Sequence, residues 1–184
     1  MKHTESIAAL AAAITTILLA STSTAIARNG AIRPDGSAGS SDATASQLMF
    51  TCQSHIRSIV RTENAASTTT STAFNNLPGA STTITVPEGS TRCVKVVFTA
   101  EASCEETGSA DFCYVRAVVN GVAMEPIDSF QAFVSESTTA SGHAAEWIKR
   151  LAAGTHTIVI QRRVGSASTP FRLDDWTFDV QVYM

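Results

Sequence analysis

The last ten residues of the chain, 175–184, constrain the fold more than any other stretch. Their large apolar side chains fall at every second position, at Trp176, Phe178, Val180 and Val182. Side chains of a β-strand alternate between two faces, so this period of two predicts a strand with one buried face. Two aromatic rings and two valines on one face need a second sheet to cover them.

Several other segments carry the same alternation or a run of strand-forming residues. They are 48–52, 56–62, 82–86, 92–101, 113–119, 122–124, 130–134, 143–151 and 155–164. Glycine, proline or asparagine turn signals separate many of them, at 78–79, 87–90 and 120–121. Segment 143–151 also fits a helical period, but its neighbours favour a strand. We expect 135–142 to be a polar loop, and 64–72 to be a polar loop or an edge strand.

This succession of short strands and turns is typical of an all-β sandwich or jelly roll. Strands with one apolar face bury it most simply when two antiparallel sheets pack face to face. No internal repeat has the period of a propeller or a solenoid. The sequence therefore predicts an antiparallel two-sheet β-sandwich, jelly-roll-like, of about 8–10 strands.

The first 27 residues are typical of a secretory signal. Lys2 gives a basic start, and residues 7–20 form an apolar stretch that is shorter than a usual membrane span. Residues 25–27, Ala-Ile-Ala, fit a cleavage site. An uncleaved membrane anchor is the alternative, and the polar residues 21–24 disfavour it.

Residues 28–47 are rich in Gly, Ser, Ala and Asp and are predicted to be a flexible leader. The remainder, 48–184, suits a single β-sandwich domain with room for a core. No apolar run after the signal approaches spanning length, so we expect no membrane span in the mature chain. Together these features predict a secreted, extracellular protein.

The chain contains four cysteines, Cys52, Cys93, Cys104 and Cys113. An even number in an exported chain predicts two disulfides, for which several pairings exist. We favour Cys104–Cys113, which would staple a polar segment between two strands, and Cys52–Cys93, which would tie the start of the domain to a central strand. A four-cysteine metal site is the alternative, and the lack of a Cys-x-x-Cys pair disfavours it.

Four segments of the chain carry a resemblance to known proteins. They are FTAE at 98–101, CYVR at 113–116, GTHTIVIQ at 154–161 and FRLDDW at 171–176. In these segments the chain resembles a group of uncharacterised exported bacterial β-sandwich proteins, over roughly residue 62 to the end. The resemblance implies a jelly-roll-like fold and export, and it brings no activity. The architecture is also similar to carbohydrate-binding modules and trimeric jelly rolls, and fold alone does not fix function.

Trp147 is the candidate for a ligand-binding residue. Aromatic rings stack on sugars, and Glu146, Lys149 and Arg150 surround Trp147 with charge. Large aromatic side chains are mostly buried, so a place in the core is the alternative. Trp176 shares its face with apolar residues and is expected in the core.

The adjacent acids Asp174 and Asp175 could hold a structural calcium ion together with Asp111, because calcium prefers six to eight oxygen ligands. The alternative is that both carboxylates are solvated, or that one of them bonds to nearby backbone or pairs with Arg172, since no calcium-loop pattern is present. No other cofactor is expected. His156 lies beside alternating apolar residues and is expected to be a hydrogen-bonded histidine at a sheet edge.

Two adjacent cations, Arg162 and Arg163, interrupt the predicted strand 155–164. They indicate a sheet edge or an interface, with plain solvent exposure as the alternative. Charged residues make up only 16% of the chain and the net charge is -3. Nucleic-acid-binding proteins present strongly basic surfaces, so we expect no nucleic-acid partner.

The sequence contains no catalytic motif such as H-E-x-x-H or G-x-S-x-G. We therefore predict a non-catalytic secreted binding module for a carbohydrate or another cell-surface ligand. The alternative is a structural or assembly subunit that forms a homo-oligomer through a sheet face, which an apolar outer face at Val97 and Val118 would favour. A hydrolase is the weakest alternative, and it would need Glu101, Glu146 or Asp175 to cluster in a cleft.

Overall fold

The structure is a computed structural model that describes residues 52–105, 112–127, 132–135 and 137–184. In these residues the chain forms ten β-strands and no helix. The strands are β1 (His55–Glu63), β2 (Ser67–Thr69), β3 (Asn75–Val86), β4 (Arg92–Cys104), β5 (Phe112–Val119), β6 (Val122–Ala123), β7 (Ala132–Ser135), β8 (Ser137–Leu151), β9 (Gly154–Val164) and β10 (Phe171–Tyr183). A search of the same residues for membrane-spanning helices accordingly finds none.

The strands form two antiparallel sheets that pack face to face, as the sequence predicts. Sheet I has the order β1-β10-β4-β8, and β2 pairs with β10 on the same side as β1. Sheet II has the order β3-β9-β5-β6, and β7 also pairs with β5. Strands distant in sequence are therefore neighbours in space, because β10 is central to sheet I and β9 is central to sheet II.

The predicted alternation of the last strand places its apolar residues against sheet II. Trp176, Phe178, Val180 and Val182 are all buried, and the polar residues between them lie on the outer face. From sheet II, apolar side chains such as Ile158 and those of β3 and β5 complete the core. Burial of two aromatic rings and two valines from one strand removes a large apolar surface from water, so β10 contributes strongly to the stability of the sandwich.

A β-bulge in β10 allows the residues before it and after it to face the core. Leu173 and Trp176 are three positions apart, yet both face the core. The pairing of β10 with β4 shifts register between Asp174 and Thr177, and Asp175 has a φ of 42°. One extra residue in a bulge resets the alternation of a strand. The strand therefore begins at Phe171, earlier than its period of two alone indicates.

The sequence prediction was wrong for residues 135–142, where a polar loop was expected. Most of this segment belongs to β8, which pairs with β4 as far as Cys104 opposite Ser137. Threonine favours extended structure, and pairing with the long strand β4 supplies hydrogen bonds to this polar segment. The predicted strand residues 48–51 and 130–131 lie outside the described residues.

The expected turn at Pro78 and Gly79 is instead a bulge inside β3. Its pairing with β9 shifts register between Asn76 and Ser81, and Gly79 has a φ of 81°. A Cβ atom at Gly79 would lie 3.3 Å from a ring carbon of Trp176. Glycine therefore satisfies both the left-handed backbone and the close approach of the Trp176 indole.

Other local predictions are confirmed. Asn120 and Gly121 have φ values of 49° and 80°, and Val119 pairs with Val122 across them. Two consecutive positive φ angles are typical of the tight hairpin turn that an Asn-Gly pair favours. Residues 143–151 are extended within β8, which settles the ambiguity between strand and helix in favour of a strand.

Both favoured disulfides are present. Cys52 bonds to Cys93, with their Cα atoms 5.4 Å apart, and Cys104 bonds to Cys113, with their Cα atoms 5.8 Å apart. The first ties the segment before β1 to β4 of sheet I. The second joins the end of β4 to the start of β5, and so links the two sheets covalently.

Candidate ligand-binding surface

Trp147 lies in the core. It is opposite Val96 in the β4–β8 pairing and its side chain is only 4% exposed. It lines a small cleft of about 40 Å³ with residues of β5, β7 and β8, Phe133 among them. Small-molecule sites usually measure about 300–1,000 Å³. The indole therefore has the packing role that the sequence left as the alternative to sugar stacking.

The charged neighbours of Trp147 do not converge on one site. Glu146 lies on the opposite, outer face of sheet I, where it pairs with Lys95 at 2.7 Å. The Lys149 ammonium donates a hydrogen bond to the Ala123 carbonyl at 2.7 Å. Arg150 is exposed on the outer face opposite Cys93. Glu146 and Arg150 lie on the face opposite to Trp147, and Lys149 shares the inner face but is bound to a backbone carbonyl of β6, so proximity in sequence does not assemble a binding site.

Asp174, one of the candidate calcium ligands, bonds to its neighbours in β10. Arg172 pairs with the Asp174 carboxylate, and the backbone N–H of Asp175 donates to the other carboxylate oxygen of Asp174 at 3.1 Å. Asp111 lies outside the described residues. Within the described ranges, no group of three or more metal-ligating side chains lies together.

The three carboxylates named for a hydrolase do not all lie together: Asp175 follows Asp174 near Glu101, and Glu146 lies farther along sheet I. Glu101 is opposite Asp174 on β10 and Gly142 on β8, whereas Glu146 is opposite Val97. Positions 97 and 101 are separated by about 13 Å along β4, at ~3.3 Å per strand residue. Glu146 is therefore distant from the Glu101 end of the sheet.

His156 is hydrogen-bonded, as predicted, but it lies in the central strand β9 and not in an edge strand. Its Nε2 donates to the Ala152 carbonyl at 2.9 Å, and its Nδ1 accepts from the Asn120 side-chain amide at 3.3 Å. Nδ1 is then the acceptor nitrogen, because a carbonyl oxygen can accept only from a protonated Nε2. The histidine links the β5–β6 hairpin turn to the turn before β9.

The outer face of sheet II carries a surface that the sequence did not single out as a site. It combines two arginines, two aromatic rings and two amides from β3, β5 and β9. We call it the arginine–aromatic surface, and its residues are Phe74, Asn76, Tyr114, Arg116, Gln161 and Arg163. Phe74 immediately precedes β3, and the others are strand residues.

A row of hydrogen bonds crosses the three strands of this surface. The Gln161 side-chain amide donates to the Asn76 side-chain carbonyl at 2.9 Å, and the Arg116 Nε donates to the Gln161 side-chain carbonyl at 2.8 Å. Gln161 is directly opposite both residues in the pairing of β9 with β3 and with β5. The row fixes the plane of the Arg116 guanidinium.

The guanidinium groups stack on aromatic rings. That of Arg116 lies 3.9 Å from the ring centre of Phe74, and that of Arg163 lies 4.1 Å from the ring centre of Tyr114 and 5.1 Å from that of Phe74. Cations over ring faces are attracted by the negative quadrupole of the ring. The Phe74 ring is therefore shared between two positive groups.

This arrangement brings two like charges together. Burial lowers the pKa of the Arg116 guanidinium from its ordinary value, and the positive charge of Arg163 lowers this pKa further. The two ion pairs found among the described residues, Lys95–Glu146 and Arg172–Asp174, do not involve Arg116. The surface therefore brings two positive groups close together, and an anion bound beside Arg116 would favour its charged form.

The sequence contained part of the signal for this surface. Alternation in β5 places Tyr114 and Arg116 on one face, and alternation in β9 places Gln161 and Arg163 on one face. The pairing of Tyr114 with Arg163 joins strands that are far apart in the chain. Local pattern does not specify such a register, so the stack of rings and cations could not be anticipated.

Arg162 has neither the edge position nor the solvent exposure expected of it. It is 4% exposed and points between the sheets, where it reaches β2. Its Nη1 donates to the Ser67 carbonyl at 2.6 Å and its Nη2 to the Ser67 hydroxyl at 2.7 Å. Burial lowers the pKa of this guanidinium. Arg162 therefore ties β2 of sheet I to β9 of sheet II.

The apolar outer face that sheet-to-sheet assembly would need is limited. Val97 is half-buried on the outer face of sheet I, opposite Asp179 and Glu146. Val118 faces outward from sheet II but is only 2% exposed. Neither valine offers an open apolar patch.

Comparison with known proteins identifies no family. No family model matches the chain, and no curated protein matches it. Among solved structures, the chain is similar to dimeric latent PorU from Porphyromonas gingivalis, with 10% sequence identity and a TM-score of 0.31. The matched region covers 72% of this chain and 14% of that chain. The chain thus spans a small part of that neighbour's length, and so distant a likeness carries no argument about function.

Proposed function

We propose that the protein is a secreted, non-catalytic binding module that recognises an anionic glycan, or another anionic ligand of a cell surface, on the arginine–aromatic surface. One observation carries this proposal: Arg116 and Arg163 are stacked on Phe74 and Tyr114 at one outer face of the sandwich.

The chemistry of Arg116 fits an oxyanion ligand. Its Nε is engaged by Gln161, so its orientation is fixed before a ligand arrives. The two terminal nitrogens then supply the donors that carboxylate and sulfate groups accept in a bidentate geometry. Fixed donors lose less conformational entropy on binding than mobile ones.

The aromatic rings fit the apolar face of a sugar. Phe74 is half-buried and Tyr114 is almost covered, so Phe74 is the ring with the greater accessible area. A uronic acid or a sulfated sugar combines a stacking face with an oxyanion. An acidic polysaccharide is therefore the ligand class that this surface favours over a neutral one.

The extracellular location is part of the proposal. The two disulfides are typical of oxidising compartments, and the first 27 residues have the pattern of a secretory signal. Both features support a protein that meets its ligand outside the cytoplasm.

The test is a binding measurement on polysaccharides that are matched except for charge. A uronate-bearing polymer and its carboxyl-reduced form are compared by affinity electrophoresis or calorimetry, and Arg116→Gln is compared with the native chain. Hydrogen bonds to charged groups contribute about 1.5–3 kcal/mol, so this substitution is expected to weaken binding by roughly ten- to a hundredfold.

The matched control is Lys95→Gln, which removes one positive charge from the outer face of sheet I. It should leave the affinity unchanged. Equal binding of the charged and the reduced polymer, or equal losses in the two variants, would refute recognition by the arginine–aromatic surface. Absence of binding to every acidic polymer would remove the glycan form of the proposal.

A further inference from the structure

Strand β1 is an exposed edge of sheet I. It pairs with β10 on one side, and no described strand pairs with its other side. Every residue of β1 is exposed except Ile59, which is half-buried. Ile56 and Val60 are large apolar residues with 45% and 56% exposure. A long exposed edge presents backbone donors and acceptors that can pair with another strand.

The inner face of β1 is charged where the rest of the sheet is apolar. Arg57 lies beside Val182 and Arg61 beside Phe178 of β10, and Glu63 lies beside Trp176. Only Ile59 of this strand packs against the core. The charged residues on the inner face of β1 are exposed, so they remain available to a neighbour.

We propose that β1 pairs with β1 of a second copy of the chain, in antiparallel orientation about a two-fold axis through Val60. Sheet I of each copy then continues into sheet I of the other. An interface around a two-fold axis uses the same residues on both sides, so each contact occurs twice. This inference does not depend on the ligand proposed above.

The faces of the strand limit the registers that are available. The outer residues of one copy must meet outer residues of the other, since a shift by one position would reverse the faces. Residues on one face of β1 have numbers of the same parity, so the numbers of two residues that face each other add up to an even number. The two-fold axis consequently passes through a residue of β1 and not between two residues.

Charge selects the register centred on Val60. There, Arg57 faces Glu63 of the second copy, and Glu63 faces Arg57 of the second copy. In the register centred on Ile59, Arg57 would face Arg61 of the second copy at both ends. Opposite charges directly across an antiparallel pair are stabilising and like charges are destabilising.

The remaining pairs of the Val60 register are also compatible. Ser58 faces Thr62 of the second copy on the outer side, and Val60 faces Val60 of the second copy. Ile59 faces Arg61 of the second copy, whose aliphatic stem can cover an apolar side chain. The pairing extends over residues 57–63. A register centred on Thr62 would pair Arg61 with Glu63 but would use only the last three residues of β1.

The first test is a charge exchange, measured by light scattering and analytical ultracentrifugation of the purified protein over a concentration series. The native chain should dimerise reversibly as its concentration rises. Arg57→Glu and Glu63→Arg should each weaken the dimer at least tenfold, because each places like charges at both ends of the pair. The double exchange R57E/E63R should restore the native dissociation constant.

The control is Glu88→Arg, which changes the net charge as Glu63→Arg does but lies in the exposed turn between β3 and β4. It should dimerise like the native chain. Rescue by the double exchange excludes a purely structural effect, since Glu63 also accepts hydrogen bonds from the backbone N–H groups of Asn64 and Ala65.

The second test fixes the axis. Two Val60 side chains face each other across the proposed pair, about 5 Å apart at Cβ, so Val60→Cys should give a disulfide-linked dimer on a non-reducing gel. Thr62→Cys adds a thiol on the same face, but its two copies would be roughly 13 Å apart along the strands. It should not cross-link.

Several results would overturn the inference. They are a native chain that stays monomeric at the highest soluble concentration, a larger native assembly than a dimer, single charge variants that dimerise like the native chain, a double exchange that does not restore the dimer, or cross-linking of the two cysteine variants to the same extent.

Discussion

The charged side chains on the two outer faces of the sandwich have different kinds of partner. On sheet I, Lys95 pairs with Glu146 at 2.7 Å, and the Gln181 amide donates to the Asp179 carboxylate at 2.6 Å. On sheet II, Arg116 and Arg163 stack on rings and approach each other. Charged side chains on sheet I thus bond to polar or oppositely charged neighbours in the same sheet, whereas two cations on sheet II lie close together on aromatic rings. The following predictions test whether this difference places an anionic ligand on sheet II.

The largest expected effect concerns the core that both faces share. Trp147→Ala removes a buried indole beneath sheet I and should lower the free energy of unfolding by about 3–5 kcal/mol, measured by urea denaturation. At a temperature where the variant is folded, binding to acidic polysaccharide should be unchanged. A variant of native stability that loses binding would instead make Trp147 a ligand residue.

A smaller effect is expected from the ring that the two arginines share. Phe74→Ala removes the stacking partner of Arg116 and should weaken binding of an anionic ligand by about 0.5–2 kcal/mol, measured by calorimetry. Val97→Ala truncates a half-buried side chain on the opposite outer face and serves as the matched control. Equal affinities for the two variants would contradict the assignment of the ligand to sheet II.

The smallest effect is expected from the ion pair on sheet I. The side chains of Lys95 and Glu146 are 30% and 53% exposed, and exposed pairs contribute about 0.2–1 kcal/mol. A double-mutant cycle with Lys95→Gln and Glu146→Gln, followed by urea denaturation, should give a coupling in this range that falls as salt is added. A larger coupling energy that does not depend on salt would contradict the description of this ion pair as solvent-exposed.

The sequence predicted those parts of the fold that depend on neighbouring residues. The period of two in β10, the Asn120–Gly121 turn and the extended state of 143–151 are local properties. Both disulfides were also predicted. Cys104 and Cys113 flank a short polar segment between two predicted strands, and Cys52 lies at the start of the domain whereas Cys93 lies in a predicted strand. The early half of β8 was missed because its polar threonines and serines are held in a strand by pairing with β4.

The candidate ligand surface was harder to predict than the fold. It depends on the register between β5 and β9, which places Tyr114 opposite Arg163 and Arg116 opposite Gln161. No local pattern encodes that alignment. The tryptophan with charged neighbours in sequence was the natural candidate, yet alternation sends Trp147 inward and Glu146 and Arg150 outward.

The Cys104–Cys113 bond has a consequence for the variability of the chain. The two cysteines are 9 residues apart in sequence and 5.8 Å apart at their Cα atoms, and each belongs to a different sheet. A covalent clasp at the base of a chain segment isolates the scaffold from changes in the segment's length, and the entropy of closing a longer segment grows only slowly. Insertions between these cysteines should therefore be tolerated, which makes this connection a natural place to display a foreign peptide.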